Sequence, residues 1–221
     1  MNHVINFLLS QAIIIPIIVA LIRFKKIDKA YYPFLILLLV GFLTELASFF
    51  CINVYKTNAP VLKIYSLAEC CIILYQVYLW KNSAKYNRTF VVLVIICVVF
   101  WVAETLLFTI NTFSPYFRVF YAFIIVLLSI NQINSMMFYQ SVTLVRNPVF
   151  IISLAFIIFF LYQIVDEASL FIGSDQSAVA NKIIMGFGYL NFFINLMYAV
   201  GVYFMGNSKD DPYSHYFNRR R

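Results

Sequence analysis

Residues 65–80 read YSLAECCIILYQVYLW, an almost entirely apolar stretch that contains a single acid, Glu69. About 20 residues of this kind cross the roughly 30 Å hydrocarbon core of a bilayer, so the stretch has the length and polarity of most of a membrane span. A carboxyl group inside a span is costly, and such groups almost always face the interior of a helix bundle. The fold therefore depends on how the rest of the chain surrounds this acid.

The composition of the whole chain is typical of a membrane protein. Of its 221 residues, 63% are hydrophobic and 11% are charged, whereas a soluble domain carries about 25% charged residues. Lipid offers no hydrogen-bond partner to the backbone, which favours helices. We predict an all-α polytopic membrane protein with seven transmembrane helices, which cover residues 4–22, 32–52, 61–80, 89–110, 119–139, 149–171 and 183–205.

Lysine and arginine are distributed unequally between the two sides of these spans. Of the 16 basic residues, all but Lys56, Lys63, Arg118 and Lys182 follow spans one, three, five and seven. Because basic loops stay in the cytoplasm, we predict that the N-terminus is outside and the C-terminus is cytoplasmic. The chain would then be a multi-pass protein of the bacterial cytoplasmic membrane, with a bundle over residues 1–205 and a short basic cytoplasmic tail over 206–221. This topology accounts for the net charge of +7 without a nucleic-acid partner.

Five of the nine acidic residues fall within the predicted spans. At 1.5 Å of rise per residue they share one slab, roughly 6–12 Å below the outer boundary. Helical spacing also aligns them with other polar residues, as in the stripe Ser66, Glu69, Ile73, Gln76 and Trp80 of span three. We therefore predict an outward-facing polar interior lined by Glu45, Glu69, Glu104, Asp166, Glu167, Asn191 and Asn195.

The nearest basic residues to this slab are Lys63, Arg118 and Lys182, all at span ends. An interior with an excess of acid over base is expected to hold a proton, a cation or a small amine. The alternative is that the polar groups only join helices, as interhelical hydrogen bonds commonly do. The segment SINQINSMMFYQ at 129–140 allows the same two readings, because it would either continue a polar path or pack helix against helix.

Several classes of enzyme are disfavoured by the sequence. His3 and His215 lie outside the spans, and the four cysteines have no metal-ligand spacing. The G-x-S-x-G, H-E-x-x-H and P-loop motifs are absent. The prediction is a non-enzymatic protein without cofactor or metal that binds a small cationic ligand or proton for sensing or transport. The alternative is an accessory or effector membrane protein, and either role would involve the lipid bilayer and a cytoplasmic or membrane protein partner.

Several motifs resemble those of a group of bacterial seven-span membrane proteins: WVAE at 101–104, SPYFRVFYAFIIVL at 114–127, NFFINLMYA at 191–199, and Glu69 after YSLA. This resemblance implies the seven-span layout and no particular activity. ELASFF at 45–50 and EASLF at 167–171 faintly resemble a 3+1+3 duplication, as in the PQ-loop-like sugar transporters. The chain lacks the Pro-Gln dipeptide of those transporters.

Overall fold

The computed structural model of the chain describes residues 9, 11–81, 87–108, 115–139, 144–171 and 178–206. These residues form α-helices joined by short connections, so the predicted all-α class is confirmed. Short 3-10 turns occupy Gln11–Ile13, Phe24–Lys26, Lys29–Tyr31 and Leu144–Arg146. The α-helices are α1 (Ile14–Arg23), α2 (Tyr32–Tyr55), α3 (Ala59–Lys81), α4 (Asn87–Phe108), α5 (Pro115–Tyr139), α6 (Pro148–Phe171) and α7 (Ala178–Phe204).

Six of these helices, α2 to α7, are long and apolar enough to cross a membrane. They coincide with the predicted spans two to seven. Of the predicted first span, 4–22, the structure describes residue 9 and residues 11–22. The helix α1 in this region has 10 residues. The predicted tail, 206–221, lies outside the described residues except for Gly206.

Local sequence signals set several helix ends. Pro115 and Pro148 begin α5 and α6, where a residue without a backbone N–H costs nothing. The Asn147 side chain caps α6, because its Oδ1 accepts the backbone N–H of Val149 at 2.9 Å. The helix α2 ends at Tyr55, and the left-handed φ of 59° at the next residue, Lys56, turns the chain toward α3.

The outer surface of the bundle is apolar and its interior contains polar groups. Leu106 and Leu107 on α4 are 80% and 77% exposed. Gln76 and Gln163, in contrast, are each 1% exposed. A soluble domain would reverse this distribution, so the exposed apolar side chains are suited to contact with lipid.

Helices α1, α2, α3, α5, α6 and α7 form a closed ring in that order, and α7 packs back against α1. The contacts between α5 and α6 and between α6 and α7 are the most extensive. Helix α4 packs outside the ring, mainly against α3 and α5. The ring therefore encloses the interior, and α4 contributes to its outer wall.

The two ends of the bundle, the basic face and the Asn58 face, differ in charge. The basic face carries Arg23, Lys25, Lys26, Lys81 and Arg146 at the ends and connections of α1, α3 and α5. The Asn58 face carries the ends of α2, α4 and α6 and the beginnings of α3, α5 and α7.

At the basic face, Gln76 joins α3 to the beginning of α2. Its Oε1 accepts the backbone N–H of Phe34 at 2.8 Å, and its Nε2 donates to the carbonyl of Ala30 at 2.7 Å. One buried side chain thus satisfies two backbone groups that the start of α2 leaves without helical partners.

Candidate functional site: a polar cavity inside the helix ring

A cavity of about 320 Å³ lies within the helix ring. It extends from Asn58, at the face named after it, to Leu37, Phe156 and Tyr198, which lie in the halves of their helices nearer the basic face. Its described lining comes from α2, α3, α5, α6 and α7, with Ile13 just before α1, and includes no residue of α4. This volume is at the lower end of the range for small-molecule sites.

Glu69 lies in the wall of this cavity and is 6% exposed. The hydroxyl of Tyr65 donates to its Oε1 at 3.0 Å, and the hydroxyl of Tyr121 donates to its Oε2 at 2.6 Å. The second distance is in the range of a charge-assisted O–H···O⁻ bond. The acid in the apolar stretch 65–80 is therefore held by two tyrosines from the wall of the ring.

The hydrogen-bond chain continues from Glu69 across the ring. Gln163 of α6 is 1% exposed, and its Nε2 donates to the Tyr121 hydroxyl at 3.1 Å. The chain Glu69–Tyr121–Gln163 thus joins α3, α5 and α6. Each link fixes the orientation of the next, so the Glu69 carboxylate is presented in one orientation.

Arg118, one of the three basic residues predicted nearest the acidic slab, contacts an acid inside the bundle. It lines the cavity, and its Nε lies 2.9 Å from Glu167 Oε1. The Nε–H is not aligned with a hydrogen-bond acceptor, so the contact is an ion pair without an ideal hydrogen bond. The backbone of Arg118 lies near one end of α5. Its long side chain places the guanidinium next to Glu167, which is 3% exposed.

The other predicted residues on the ring helices also line the cavity. Glu45 contributes from α2, Asp166 from α6, and Asn191 and Asn195 from α7. Asn195 is 2% exposed, and its Nδ2 donates to the carbonyl of Asn191 at 2.9 Å. Five of the predicted residues therefore meet in one cavity, and Glu167 adjoins it through Arg118.

Comparisons with known proteins do not assign this architecture. No protein-family model, no curated protein and no solved structure matches the chain. The resemblances to bacterial seven-span proteins and to PQ-loop-like transporters therefore stay predictions.

Glu104 is the predicted site residue that the structure places elsewhere. It is 4% exposed but does not line the cavity. Its carboxylate accepts the backbone N–H groups of Tyr116 at 3.3 Å and Phe117 at 2.8 Å, in the first turn of α5. Because α4 lies outside the ring, this acid reaches the positive end of a neighbouring helix instead of the interior.

Replacing Glu104 by Gln is expected to lower stability without changing ligand binding. One of two backbone donors would lose its acceptor, which costs about 0.5–2 kcal/mol for a helix cap. Thermal unfolding of the purified protein in detergent measures the loss. A large drop in binding of a cationic probe, with stability unchanged, would contradict this assignment.

Sequence reasoning did not identify Tyr65, Tyr121 and Arg118 as site residues. Tyr65 stands four residues before Glu69, a spacing that brings two side chains together on one helix. This signal was available in the stretch 65–80. No sequence signal identifies Tyr121 or Arg118, because their contacts depend on how α5 packs against α3 and α6.

Aromatic rings close the cavity toward the basic face. Phe34 is fully buried, and its ring lies 5.2 Å from that of Tyr198 and 6.2 Å from that of Phe156. The rings of Phe156 and Tyr198 are 6.0 Å apart. These distances are typical of packed aromatic pairs, so the three rings form a floor under the cavity.

The polar residues of segment 129–140 do not extend the cavity lining. Ser129 and Gln132 are buried, whereas Asn131, Asn134 and Ser135 are exposed. No residue of this segment lines the cavity among those that the structure describes. Of the two readings of this segment, a continued polar path is not seen among its described residues.

Proposed function

We propose that this chain is a non-enzymatic integral membrane protein that binds a small cation in the ring cavity. The observation that carries the proposal is the charge of the lining. Glu45, Glu69 and Asp166 line the cavity, and its basic lining residue Arg118 already faces the buried Glu167. An excess of carboxylates in a low-dielectric cavity attracts a cation, a proton or an amine-like ligand.

The proposal includes seven spans, with the N-terminus outside and the C-terminus in the cytoplasm. The uneven distribution of Lys and Arg supports this orientation. The basic face would then be cytoplasmic, and Asn58 would stand at the non-cytoplasmic entrance of the cavity. The membrane would be the bacterial cytoplasmic membrane.

Both sensing and transport use such a cavity. Transport would require that the floor of Phe34, Phe156 and Tyr198 separate, so that the ligand can leave toward the basic face. Sensing would require only a shift in helix packing, together with a cytoplasmic or membrane protein partner that responds to it.

A second candidate, an accessory or effector membrane protein, is favoured by a different observation. Glu69, Glu104 and Glu167 are all engaged by groups of the protein itself. In this view the acids stabilise the packing of helices, as interhelical polar contacts do, and the cavity has no specific ligand.

Thiol labelling distinguishes the two candidates. In a variant with all native cysteines replaced by Ala, Asn191→Cys places a thiol in the cavity wall. A trimethylammonium methanethiosulfonate is expected to label it at least about tenfold faster than the sulfonate analogue, because an acidic cleft concentrates cations. The advantage should fall with Glu45→Gln or Asp166→Asn, and Glu104→Gln serves as the control that leaves it unchanged.

The same labelling tests the orientation. Right-side-out vesicles are expected to react with the membrane-impermeant cationic reagent, and inside-out vesicles are expected to be protected. Equal labelling by the cationic and anionic reagents in a folded variant would contradict an acidic binding cavity and favour the accessory role.

A further inference from the structure

The volume of the cavity narrows the class of ligand that the proposed function implies. A water molecule occupies about 30 Å³ of the liquid, and the cavity measures about 320 Å³. It is much larger than a proton or a dehydrated metal ion requires. Among the described residues, no group of three or more His, Cys, Asp or Glu side chains is placed to hold a metal ion. A small organic molecule therefore fits the space better than an inorganic cation.

Three carboxylates, from three different helices, line the cavity. Glu69 accepts two tyrosine hydroxyls, one on each oxygen. Glu45 and Asp166 line the cavity from α2 and α6. An organic cation between these two helices would be attracted by both carboxylates, with Glu69 adding to the negative field from α3.

Ser48 provides an independent indication of a ligand. It stands three residues after Glu45 on α2, lines the cavity and is 6% exposed. Its buried Oγ has no hydrogen-bond partner among the described residues. Buried hydroxyls normally have a hydrogen-bond partner. A ligand with N–H or O–H groups would provide one for this oxygen. An ammonium with hydrogen on its nitrogen would donate to it and to a carboxylate of the cavity.

Helices α6 and α7 also contribute aromatic rings to the lining. Phe156, Phe159 and Phe160 contribute from α6, and Phe187 and Tyr198 from α7. Aromatic faces attract ammonium groups, and they also bury apolar groups attached to them. The lining thus combines acceptors for an N–H-bearing head with an apolar wall.

We infer that the ligand is a primary or secondary organic ammonium that carries an apolar or aromatic group. Its head lies near Glu45 and Ser48, and its apolar part contacts the rings of α6 and α7. This inference rests on the proposed function and specifies the chemistry of the cation.

Three matched probes test the inference on the full chain in lipid nanodiscs: 2-phenylethylammonium, its N,N,N-trimethyl counterpart and neutral 2-phenylethanol. Calorimetry is expected to show that the N–H-bearing ammonium binds at least about tenfold tighter than the trimethyl probe, because a hydrogen bond to a charged donor is lost in the latter. The alcohol should bind most weakly. Ser48→Ala is expected to reduce the preference for the N–H-bearing probe to about threefold or less while the thermal unfolding midpoint is retained.

The outcomes separate this inference from the proposed function. Equal or tighter binding of the trimethyl probe, or competition by millimolar Mg²⁺, would overturn the organic N–H ammonium but leave a cation site. An unchanged preference in Ser48→Ala would overturn the role of that hydroxyl. If none of the cations binds to folded protein, the proposed function itself fails.

Discussion

Replacing Glu69 by Gln is expected to weaken the binding of 2-phenylethylammonium by about 10- to 100-fold. The substitution keeps the size of the side chain but removes one negative charge from the cavity. It also replaces one of two acceptor oxygens with an amide that donates hydrogen bonds. Either Tyr65 or Tyr121 then loses its acceptor, so the orientation of the network changes together with its charge. Calorimetry in nanodiscs measures the affinity.

Tyr65→Phe is the matched control for this variant. It removes one of the two hydroxyl donors to Glu69 but leaves every carboxylate in the cavity. We expect a loss of about 1 kcal/mol in the free energy of unfolding and a much smaller change in affinity than in Glu69→Gln. If Glu69→Gln keeps full affinity while folding or assembly suffers, the acid is a packing group and the accessory role is favoured.

Replacing Arg118 by Leu is expected to destabilise the bundle by about 3–5 kcal/mol. The variant would leave Glu167, 3% exposed, without the guanidinium that lies 2.9 Å from it. An uncompensated buried charge costs more than the pair contributes, because the desolvation of the remaining ion is no longer offset. Thermal unfolding in detergent and the yield of folded protein measure the effect.

The double variant Arg118→Leu with Glu167→Leu tests the reason for that loss. Removing both charges is expected to recover most of the stability, since neither ion then remains buried alone. If the double variant is as unstable as Arg118→Leu, the effect comes from the shape of the arginine and not from its charge.

The helical faces were predictable from the sequence. All five residues of the stripe in span three are buried, from 1% exposed for Ile73 and Gln76 to 6% for Glu69. A side chain returns to the same face every three or four residues, so the stripe could be read before any contact was known. In α6, Gln163 and Glu167 are buried, and Asp166 is half-buried.

The partners of the acids were not predictable in the same way. Glu69 and Glu104 have similar sequence signals, since each is an acid on the polar side of a span. One lines the cavity, and the other caps α5, because α3 is in the ring and α4 is outside it. The order of helices in a ring depends on the fit of many side chains at once, and this order cannot be read from the sequence of a single span.

The helical class, the long apolar helices α2 to α7 and the buried polar stripe of α3 follow from the sequence, because span length, hydropathy and helical period are local properties. The contacts of Glu69 with Tyr121, of Arg118 with Glu167 and of Glu104 with the first turn of α5 depend instead on how the helices pack. Whereas the bonded pair Tyr65 and Glu69 are four positions apart, these contacts join residues 12 to 52 positions apart. Such distant residues meet only when whole helices have packed, so their pairing belongs to the assembled ring and not to any one stretch of the chain.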